Sequence, residues 1–582
     1  MLRLFKMKLK GKRSITVILL IMFAIIFGMV NSVSCERNNN PMDKLIAYPD
    51  YPEAIQRDYR YSVSVTQGNV TKKLNVYNHT QTGITGIRDY GPDNYRRFCE
   101  FAFSGSPVRV DITVHEDVSS YKIIPASYNL MSEMNGNVIS VYLDEPKYFM
   151  LKINDELNSL LAVFADEPED ESQIPNKNAP DVMYFDAGWH ETANGFLEVG
   201  TNIKTLYIAP GAVLNARVDI KGSGTLVCGR GIILDPFGDI SRYDITVGGN
   251  EGSGTKLLTL SAANITVKDI KLLDARCYNI MVNKQNATIT NVKILSTMIT
   301  TDGITFGSAS SYTKVKNCFI HNGDNVFVIS GFSSSSICTG IEIDDCIVGT
   351  TCAAIFPQGT LGSNIIRNLE VFRTSGGLIG NRYNSSSQSR SIAGLTIENL
   401  NALECEYFPW IFKGDKMGDA PKLFTLKNIS VPRSSGVDNI FSTPTNEDII
   451  IVSGGGYQLN FENLYVDGEP IDNANLLNIT NNGLSNNVFN FALNEETAGN
   501  IITSPVSYEV NYIEPLKVII GSSVQFLRTK PVMIDTVIYL PLQEVAEIFK
   551  YVVVNTNGQT VSLYKGNNAI TATVGSNVAN IN

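Results

Sequence analysis

The segments TTDGITF at residues 300–306 and HNGDNVFVI at residues 321–329 each place an aspartate beside a glycine, close to a short apolar stretch. The two aspartates, Asp302 and Asp324, are 22 residues apart. One coil of a parallel β-helix takes roughly 20–30 residues, so residues at this spacing stack on one face of that fold. Carboxyl groups on adjacent coils can flank a single bond, as hydrolysis of a glycosidic bond requires. Aspartates that only cap turns give the same local pattern, so the surrounding sequence has to decide between a catalytic pair and two turn residues.

A repeat surrounds these segments, with the pattern apolar-x-apolar-x-Asn/Asp-apolar. Its Asn/Asp positions are separated by 22, 26, 28, 23, 31, 29 and 35 residues. Short strands joined by one polar turn residue per coil predict a right-handed parallel β-helix. Leucine-rich repeats would need more leucine and a tighter period, and a propeller about four strands per 40–50 residues. The eight positions are Asp269, Asn291, Asn317, Asp345, Asn368, Asn399, Asn428 and Asn463.

The composition and the changes of pattern along the chain predict an all-β protein with several parts. Residues 1–35 combine six basic side chains with an apolar run of 16 residues, Ile15 to Val30, which is typical of a signal peptide. Residues 36–58 form a polar linker. Alternating strands at residues 59–181 predict an N-terminal β-sandwich, and the repeat predicts a parallel β-helix catalytic domain at 182–505. The remaining segment, 511–582, is predicted to be a small α+β module, with a helix over residues 539–549.

The net charge and the N-terminal segment predict which partners the protein would not bind and where in or outside the cell it is found. The 582 residues include 47 basic and 57 acidic side chains, and without residues 1–35 the basic count falls to 41, which gives a net charge of −16. This balance disfavours nucleic acid and anionic membranes as partners. We expect a secreted or cell-surface protein. Val33-Ser34-Cys35 also fits a lipoprotein cleavage site, which leaves attachment to the cell envelope through Cys35 open.

The nine cysteines contain no C-x-x-C pair and lie at no zinc-ligand spacing from histidine. We therefore expect no metal site and no cofactor. Cys318 and Cys346 follow the repeat's Asn/Asp at apolar positions, which indicates buried thiols in the β-helix. A few disulfide bonds stay open as an alternative in an exported chain.

Residues 59–500 resemble glycoside hydrolase family 49, the dextranase and isopullulanase group, and more distantly the family 28 polygalacturonases. The resemblance is carried by Ala209-Pro-Gly-Ala-Val, by Gly229-Arg-Gly-Ile, and by Thr301-Asp302-Gly303-Ile304 followed by Gly323-Asp324-Asn325. The Gly-His-Gly of family 28 is missing. Leu540-Pro-Leu-Gln-Glu-Val-Ala-Glu and Val574-Gly-Ser-Asn-Val-Ala-Asn-Ile resemble the copper-amine-oxidase N-terminal-like domain, for which we expect a role in attachment or spacing and no metal.

The resemblance implies catalysis by three aspartates with inversion. It makes Asp324 the general acid and Asp302 a base, whereas the third aspartate is replaced by Asn325. An amide cannot take a proton from water at neutral pH, so Asp302 would serve as the base alone, with Asn325 orienting water. Carboxyl groups in an inverting pair are expected roughly 6.5–9.5 Å apart.

Five further residues are predicted to bind substrate. His321 lies three residues before Asp324 and could hydrogen-bond the sugar or the acid. Arg382 and Tyr383 could form a sugar subsite, and Lys413 and Asp415 could line the cleft. For each of these residues a structural role is the alternative.

These observations predict a metal-independent, inverting glycoside hydrolase that cleaves a polysaccharide. The resemblance implies an α-glucan such as dextran or pullulan as the substrate. A polygalacturonase-type pectin hydrolase is the alternative enzyme, against which the missing Gly-His-Gly and the negative charge count. A non-catalytic carbohydrate-binding surface protein is the alternative of another class, and Asn325 is the residue that supports it.

Overall fold

The computed structural model describes the chain in segments. These are residues 4–6, 43–78, 95–236, 256–297, 300–331, 337–374, 377–381, 391–402, 412–415, 420–432, 448–473, 478–481, 486–494, 517–520, 523–526, 532–534, 537–541, 552–556, 560–565, 568–573 and 579–581. The chain divides into two compact units, one of residues 43–129 and 144–509 and the other of residues 1–42, 130–143 and 510–582.

The first unit begins with two β-sheets. Their strands are β2 (Lys44–Ala47), β3 (Tyr61–Gln67), β4 (Val70–Leu74), β5 (Tyr77–Asn78), β6 (Arg97–Ser104), β7 (Val108–Val114), β8 (Tyr121–Ile124), β11 (Tyr148–Ile153) and β12 (Leu161–Asp166). Strand β3 pairs antiparallel with β4 and β7, and the other sheet has the order β2-β6-β12-β11-β8. Alternate residues of β3 and β7 are buried, as the sequence pattern predicts for a sandwich strand.

Strands of the β-helix follow directly. The first part consists of β13 (Val182–Phe185), β14 (Gly188–Val199), β15 (Thr205–Ile208), β16 (Ala212–Ile220), β17 (Leu226–Gly229), β18 (Ile232–Leu234), β19 (Leu258–Leu260), β20 (Thr266–Lys268), β21 (Lys271–Leu273), β22 (Ile280–Val282), β23 (Thr288–Thr290), β24 (Lys293–Leu295), β25 (Ile304–Phe306), β26 (Lys314–Lys316), β27 (Phe319–Asn322) and β28 (Phe327–Gly331).

The later coils have longer strands. They are β29 (Glu342–Thr350), β30 (Ile355–Gly359), β31 (Leu361–Arg373), β32 (Gly380–Asn381), β33 (Ile392–Asn401), β34 (Phe412–Asp415), β35 (Lys422–Val431), β36 (Asp448–Ser453), β37 (Tyr457–Val466), β38 (Glu469–Ile471), β39 (Asn478–Asn481) and β40 (Val488–Ala492). Three short 3-10 helices, Ala126–Tyr128, Leu157–Ser159 and Glu171–Gln173, complete this unit, which has no α-helix in its described residues.

Each coil contributes one strand to each of three parallel columns. We call β18, β21, β24 and β27 the sandwich-facing column, because its outward residues pack against the sandwich. We call β19, β22, β25, β28 and β30 the site column, because the aspartates of interest precede two of its strands. Inward side chains of all columns form one long apolar core. The predicted all-β class, with a sandwich followed by a parallel β-helix, is confirmed.

The repeat's Asn/Asp residues explain how successive coils stay in register. All eight have a positive φ, between 50° and 66°, which Asn and Asp tolerate better than other side chains do. Their side chains also bond along the stack, since Asn291 Nδ2 donates to Asp269 and Asn317 Nδ2 donates to Asn291 at 3.0 and 2.8 Å. The same chain runs from Asn368 through Asn399 and Asn428 to Asn463. We call this chain of side chains the amide ladder.

The second unit contains short strands in four groups. They are β1 (Leu4–Lys6), β9 (Ser132–Asn135), β10 (Val138–Leu143), β41 (Lys517–Ile520), β42 (Ser523–Phe526), β43 (Val532–Ile534), β44 (Val537–Pro541), β45 (Val552–Thr556), β46 (Thr560–Lys565), β47 (Asn568–Thr573) and β48 (Ala579–Ile581). Strand β1, inside the predicted signal peptide, pairs antiparallel with β44. The first residues of the predicted C-terminal helix belong to β44, and its remainder, residues 542–549, lies outside the described residues.

Two further features concern the whole described chain. Among the described cysteines, Cys99, Cys228, Cys318, Cys338 and Cys346 are buried free thiols, while Cys35 and Cys405 fall outside the described residues. Among the described residues there is no helix of the length and apolar character needed to cross a membrane.

The sandwich packs on the β-helix through a buried group of charges that we call the interface cluster. Lys271 contacts Glu100 at 2.7 Å, and Lys293 contacts Asp166 at 2.6 Å. Arg230 contacts Asp166 at 3.2 Å and Asp269 at 3.3 Å. Both lysine side chains are fully buried, and because each faces a carboxylate, the burial of charge is compensated.

Candidate active site

Asp302 lies at the end of the turn that leads into strand β25. It is buried, and its backbone carbonyl accepts a hydrogen bond from Asn279 N–H on the preceding coil. The following glycine is required by the next coil, because a Cβ at Gly303 would lie 2.7 Å from the carbonyl oxygen of Val326. The Asp-Gly pair therefore places a carboxyl where two coils approach each other closely.

Asp324 precedes strand β28, one coil later, and its carboxylate is held by three N–H donors. Asp324 Oδ2 accepts from Thr300 N–H at 2.8 Å, and Oδ1 accepts from the backbone N–H of Asn325 at 2.8 Å. The side-chain Nδ2 of Asn325 donates to the same Oδ1 at 2.9 Å. Asp324 is half-buried, so part of the residue is exposed to solvent.

Asn325 connects the two carboxyl groups. Its Nδ2 donates to Asp324 Oδ1 and also approaches Asp302 Oδ1 at 3.4 Å. Those two carboxyl oxygens therefore lie within about 6 Å of each other, which is closer than the range of roughly 6.5–9.5 Å expected between the carboxyl groups of inverting enzymes. The structure thus brings together the three residues that the sequence nominates for catalysis.

The main electrostatic effect in the site is a shift in the pKa of Asp302. Burial, and secondly the negative charge of Asp324, raise the pKa of Asp302 well above its ordinary value. Hydrogen bonds from Asn325 and Thr305 oppose this shift, but both are long, at 3.4 Å. A raised carboxyl pKa in a polar turn is a feature of functional sites.

Threonine residues that sequence reasoning missed support the pair. Thr300 has a φ of +66°, an unfavourable conformation for a β-branched residue, and is held by its bond to Asp324 and by a 3.1 Å bond to the carbonyl of Arg276. Thr301 Oγ1 accepts from Gly323 N–H at 3.1 Å, and Thr351 Oγ1 donates to the Gly323 carbonyl at 2.8 Å. Their one signal in the sequence is position, because they occupy the same turn, Thr300 and Thr301 on the coil of Asp302 and Thr351 on the coil after that of Asp324.

His321 is not part of this group. Its side chain is buried and lies edge-to-face on Phe372, with ring centroids 4.9 Å apart. Burial, with a further contribution from the charge of Arg96, lowers the pKa of His321 well below its ordinary value. Register explains the placement, because His321 pairs with Leu295 in the sandwich-facing column, where alternate residues point towards the sandwich.

The other predicted substrate-binding residues are placed only in part. Arg382 and Tyr383 lie outside the described residues. Lys413 and Asp415 belong to strand β34, in which Lys413 pairs with Gly380 of β32. Because a bridge joins Ile355 to Ile379, β32 and β34 continue the site column beyond β30. The substrate-binding roles of all five residues stay predictions.

An aromatic and two cationic side chains lie on the two coils before the pair. Continuing the register of β22 and β25 places Tyr278 next to Asp302 along the column, and the register of β19 places Lys256 next to Tyr278. The ammonium of Lys256 lies 5.7 Å from the centre of the Tyr278 ring. Tyr278 and Arg276 are both half-buried, so they are accessible from the same turn that carries the carboxyls.

The described residues offer no alternative metal chemistry at this turn. Nowhere in the described ranges do three or more His, Cys, Asp or Glu side chains converge in a way that could hold a metal ion. Two carboxyls joined by an amide can hold and transfer a proton, and the arrangement suits general acid and base catalysis.

Comparison with known proteins gives a family for one end of the chain and a fold for most of it. The model of the copper amine oxidase N-terminal domain matches residues 518–582, as the sequence resemblance predicts. No curated protein sequence matches the chain. Among solved structures, Dex49A from Penicillium minioluteum has a TM-score of 0.56 and 14% identity, over 78% of this chain and 96% of that chain.

Two other solved structures are more distant. A family 28 exopolygalacturonase from Yersinia enterocolitica has a TM-score of 0.30 and 11% identity, over 67% of this chain and 96% of that chain. The catalytic domain of GH87 alpha-1,3-glucanase in complex with tetrasaccharides has a TM-score of 0.33 and 10% identity, over 79% and 100%. The likeness to Dex49A establishes a shared fold, in agreement with the predicted resemblance to family 49, and residues 518–582 match the model of the copper amine oxidase N-terminal domain.

Proposed function

We propose that this protein is a glycoside hydrolase that cleaves a polysaccharide, with Asp302 and Asp324 as its acid and base. The single observation that carries the proposal is the pair itself: two carboxyls on successive coils, bridged by the amide of Asn325, one of them with a raised pKa. Like charges at this separation are unfavourable for folding, which a structural site would avoid and an acid-base site uses.

The proposed substrate class is supported by the resemblance to family 49 and by the fold shared with Dex49A, whose name carries the same family number. On this basis we propose an α-glucan such as dextran or pullulan. The net charge of −16 without residues 1–35 also favours a neutral polysaccharide over an anionic one.

Inversion is proposed on the same basis, and it can be measured directly. The two carboxyl oxygens that Asn325 bridges lie within about 6 Å of each other, closer than the roughly 6.5–9.5 Å typical of inverting enzymes, so this distance alone does not select inversion. Proton NMR of the first sugar released from an α-linked substrate would show the β-anomer for inversion. Initial release of the α-anomer would contradict inversion and leave hydrolysis intact.

The test of the function is release of reducing sugar from dextran, pullulan, α-1,3-glucan and polygalacturonate. Asp324→Asn should abolish the release, whereas the matched control Asp345→Asn should retain it. Asp345 is a half-buried carboxyl of the next coil, in a left-handed turn that asparagine occupies elsewhere in the repeat. Release from polygalacturonate alone would identify a pectin hydrolase. A folded wild type that binds a glucan without cleaving any would identify a carbohydrate-binding protein.

We also propose that the chain is exported by residues 1–35 and remains secreted or attached to the cell envelope. The support is the basic and apolar pattern of that segment. Mass spectrometry of the protein from its own cells would test it. An N-terminus that begins at or after Cys35 is expected, with a lipid on Cys35 if the chain is attached. An intact Met1 would contradict processing.

A further inference from the structure

Four polar side chains form a buried column beside the candidate active site, and we call them the polar column. Strand β27 ends at Asn322, which pairs with Thr350 on the following coil. The same register places Ser296 before Asn322 and Thr374 after Thr350. All four side chains are fully buried. Each lies where the chain leaves the sandwich-facing column and turns towards the site column.

Asn322 uses both of its amide protons at this turn. Its Nδ2 donates to the carbonyl of Thr301 at 2.7 Å and to the carbonyl of Asn325 at 2.9 Å. Thr301 immediately precedes Asp302, and Asn325 immediately follows Asp324. One buried amide therefore joins the backbones of the two turns that carry the carboxyl groups.

A hydroxyl in the polar column cannot make this double connection. Thr374 Oγ1 lies 2.6 Å from the carbonyl of Cys352 and 2.8 Å from the carbonyl of Gly377. By the register of the site column, these are the places that Thr301 and Asn325 occupy on the earlier coils. A hydroxyl has one proton, so it donates to only one of the two carbonyls at a time. The amide stands at the place in the column that lies between the two aspartate turns.

The Asn322 amide is a poor choice for stability alone. Its Oδ1 is buried and accepts no hydrogen bond from the residues that the structure describes, and a buried acceptor without a donor costs free energy. Both carbonyls also have a second donor, because Asn279 Nδ2 donates to Thr301 at 3.2 Å and Gly303 N–H donates to Asn325 at 2.9 Å. The two bonds from Asn322 therefore contribute more to the alignment of the turns than to the satisfaction of buried groups.

We propose that Asn322 is a positioning residue that sets the separation of Asp302 and Asp324 by joining the backbones of their two turns. Acid and base catalysis depends on this separation, because a displacement of about 1 Å can cost roughly 10²-fold in rate. The kinetic consequence rests on the proposed hydrolase function, whereas the connection between the turns does not. The proposal holds whichever carboxyl group is the acid.

Hydrogen exchange tests the connection without any substrate. Gly303 N–H donates to Asn325 across the two turns, so its exchange reports how often the turns separate. Asn322→Leu keeps nearly the same shape without a donor, and we expect it to fold because each carbonyl keeps its second donor. Mass spectrometry of peptides that contain residues 300–306 should show exchange roughly 2–10-fold faster than in wild type. Unchanged exchange in the folded variant would overturn the proposal.

Steady-state kinetics on a cleaved polysaccharide tests the consequence for catalysis. Asn322→Leu should lower kcat roughly 10–10²-fold while KM stays within about twofold, because the surface that binds the substrate is unchanged. Thr374→Val is the matched control, since it removes a buried donor of the same column from a turn that carries neither aspartate. Its kcat should match that of wild type. Equal losses of kcat in the two variants would indicate a structural role only and overturn the proposal.

Asn322→Thr separates positioning from folding. Threonine occupies this place on the next two coils, so the melting temperature should lie closer to wild type than that of Asn322→Leu. Because one proton holds only one turn at a time, kcat should remain roughly 2–10-fold below wild type. Full recovery of kcat would overturn the proposal. A wild type that cleaves no polysaccharide, combined with faster exchange in Asn322→Leu, would contradict the hydrolase function and leave the connection between the turns supported.

Discussion

Two of the regions that bury charged side chains in this protein, the interface cluster and the candidate site, treat charge in opposite ways. In the interface cluster, Lys271, Lys293 and Arg230 face Glu100, Asp166 and Asp269, so each buried charge has a partner of opposite sign. In the candidate site, two carboxyls share a neutral amide, and Asp302 has Asp324 as a like charge nearby. Compensation of charge joins the sandwich to the β-helix, whereas its absence raises the pKa of Asp302, as acid and base chemistry can use.

The largest expected effect lies in the site and separates activity from stability. We expect Asp302→Asn and Asp324→Asn to lower polysaccharide hydrolysis roughly 10²–10⁴-fold, because each removes a group that exchanges a proton with the substrate or water. Because the change also removes a like charge, the melting temperature should stay level or rise. Activity assays beside melting curves measure both. A fall in melting temperature equal to that of an interface variant would remove the distinction between the two regions.

Substitutions in the interface cluster should lower stability, in contrast to those in the candidate site. Lys293→Met leaves the Asp166 carboxylate buried without its 2.6 Å partner, so the free energy of unfolding should fall by about 3–5 kcal/mol. Lys314→Met is the matched control, since Lys314 also lies in a β-helix strand but is 63% exposed in its pair with Glu342. Its effect should be about 0–1 kcal/mol. Equal losses in denaturant titrations of the two variants would show that burial of the pair is irrelevant.

The stability contributed by the two regions should depend on pH in opposite directions. Burial would raise the pKa of Asp166, but Lys293 and Arg230 hold it below the ordinary 3.8. Its contribution is therefore present above that value and is lost as pH falls through the folded pKa. The pKa of Asp302 is raised, so its contribution is present below the ordinary value and is lost as pH rises through the folded pKa. Melting temperatures across pH should therefore separate Asp166→Asn from wild type above pH 3.8, whereas Asp302→Asn should gain on wild type as pH rises.

The smallest expected effect concerns substrate binding beside the pair. Tyr278→Ala removes an aromatic surface next to Asp302 along the site column, and an aromatic contact contributes about 0.5–1.5 kcal/mol. KM should therefore rise about 2–10-fold, with kcat nearly unchanged. Tyr312→Ala is the control, because that ring is 58% exposed and follows strand β25 instead of preceding it. An equal KM in the two variants would place the substrate elsewhere.

Local pattern predicted the fold because local geometry determines it. All eight Asn/Asp positions of the repeat have the left-handed conformation, and strand Val108–Val114 alternates between buried and less buried residues as predicted for the sandwich. Strands Arg97–Ser104 and Tyr148–Ile153 are buried on both faces, so alternation alone does not identify them. Lys271 and Lys293 look like solvent-facing strand residues, and no local signal reveals that the sandwich covers them.

The candidate site was predictable in its spacing and not in its hydrogen bonds. Asp302 and Asp324 were identified because one coil separates them. The bridging role of Asn325 depends on the N–H of Ala353, 28 residues later, and no motif contains both. His321 was proposed for its proximity in sequence to Asp324, but strand β27 turns it towards Phe372. Sequence distance predicts which coil a residue occupies, whereas strand register determines which face it joins.

The amide ladder keeps a constant spacing between coils although the number of residues between its members varies. Neighbouring rungs that bond to each other are separated by 22 to 35 residues, yet each bond stays between 2.8 and 3.0 Å. Extra residues must therefore project as loops while the pitch of the helix stays constant. Loop length around the site column can consequently change in evolution or by design without altering the stack of coils. The lengths of the loops beside the site and the spacing of the coils can therefore vary independently in this chain.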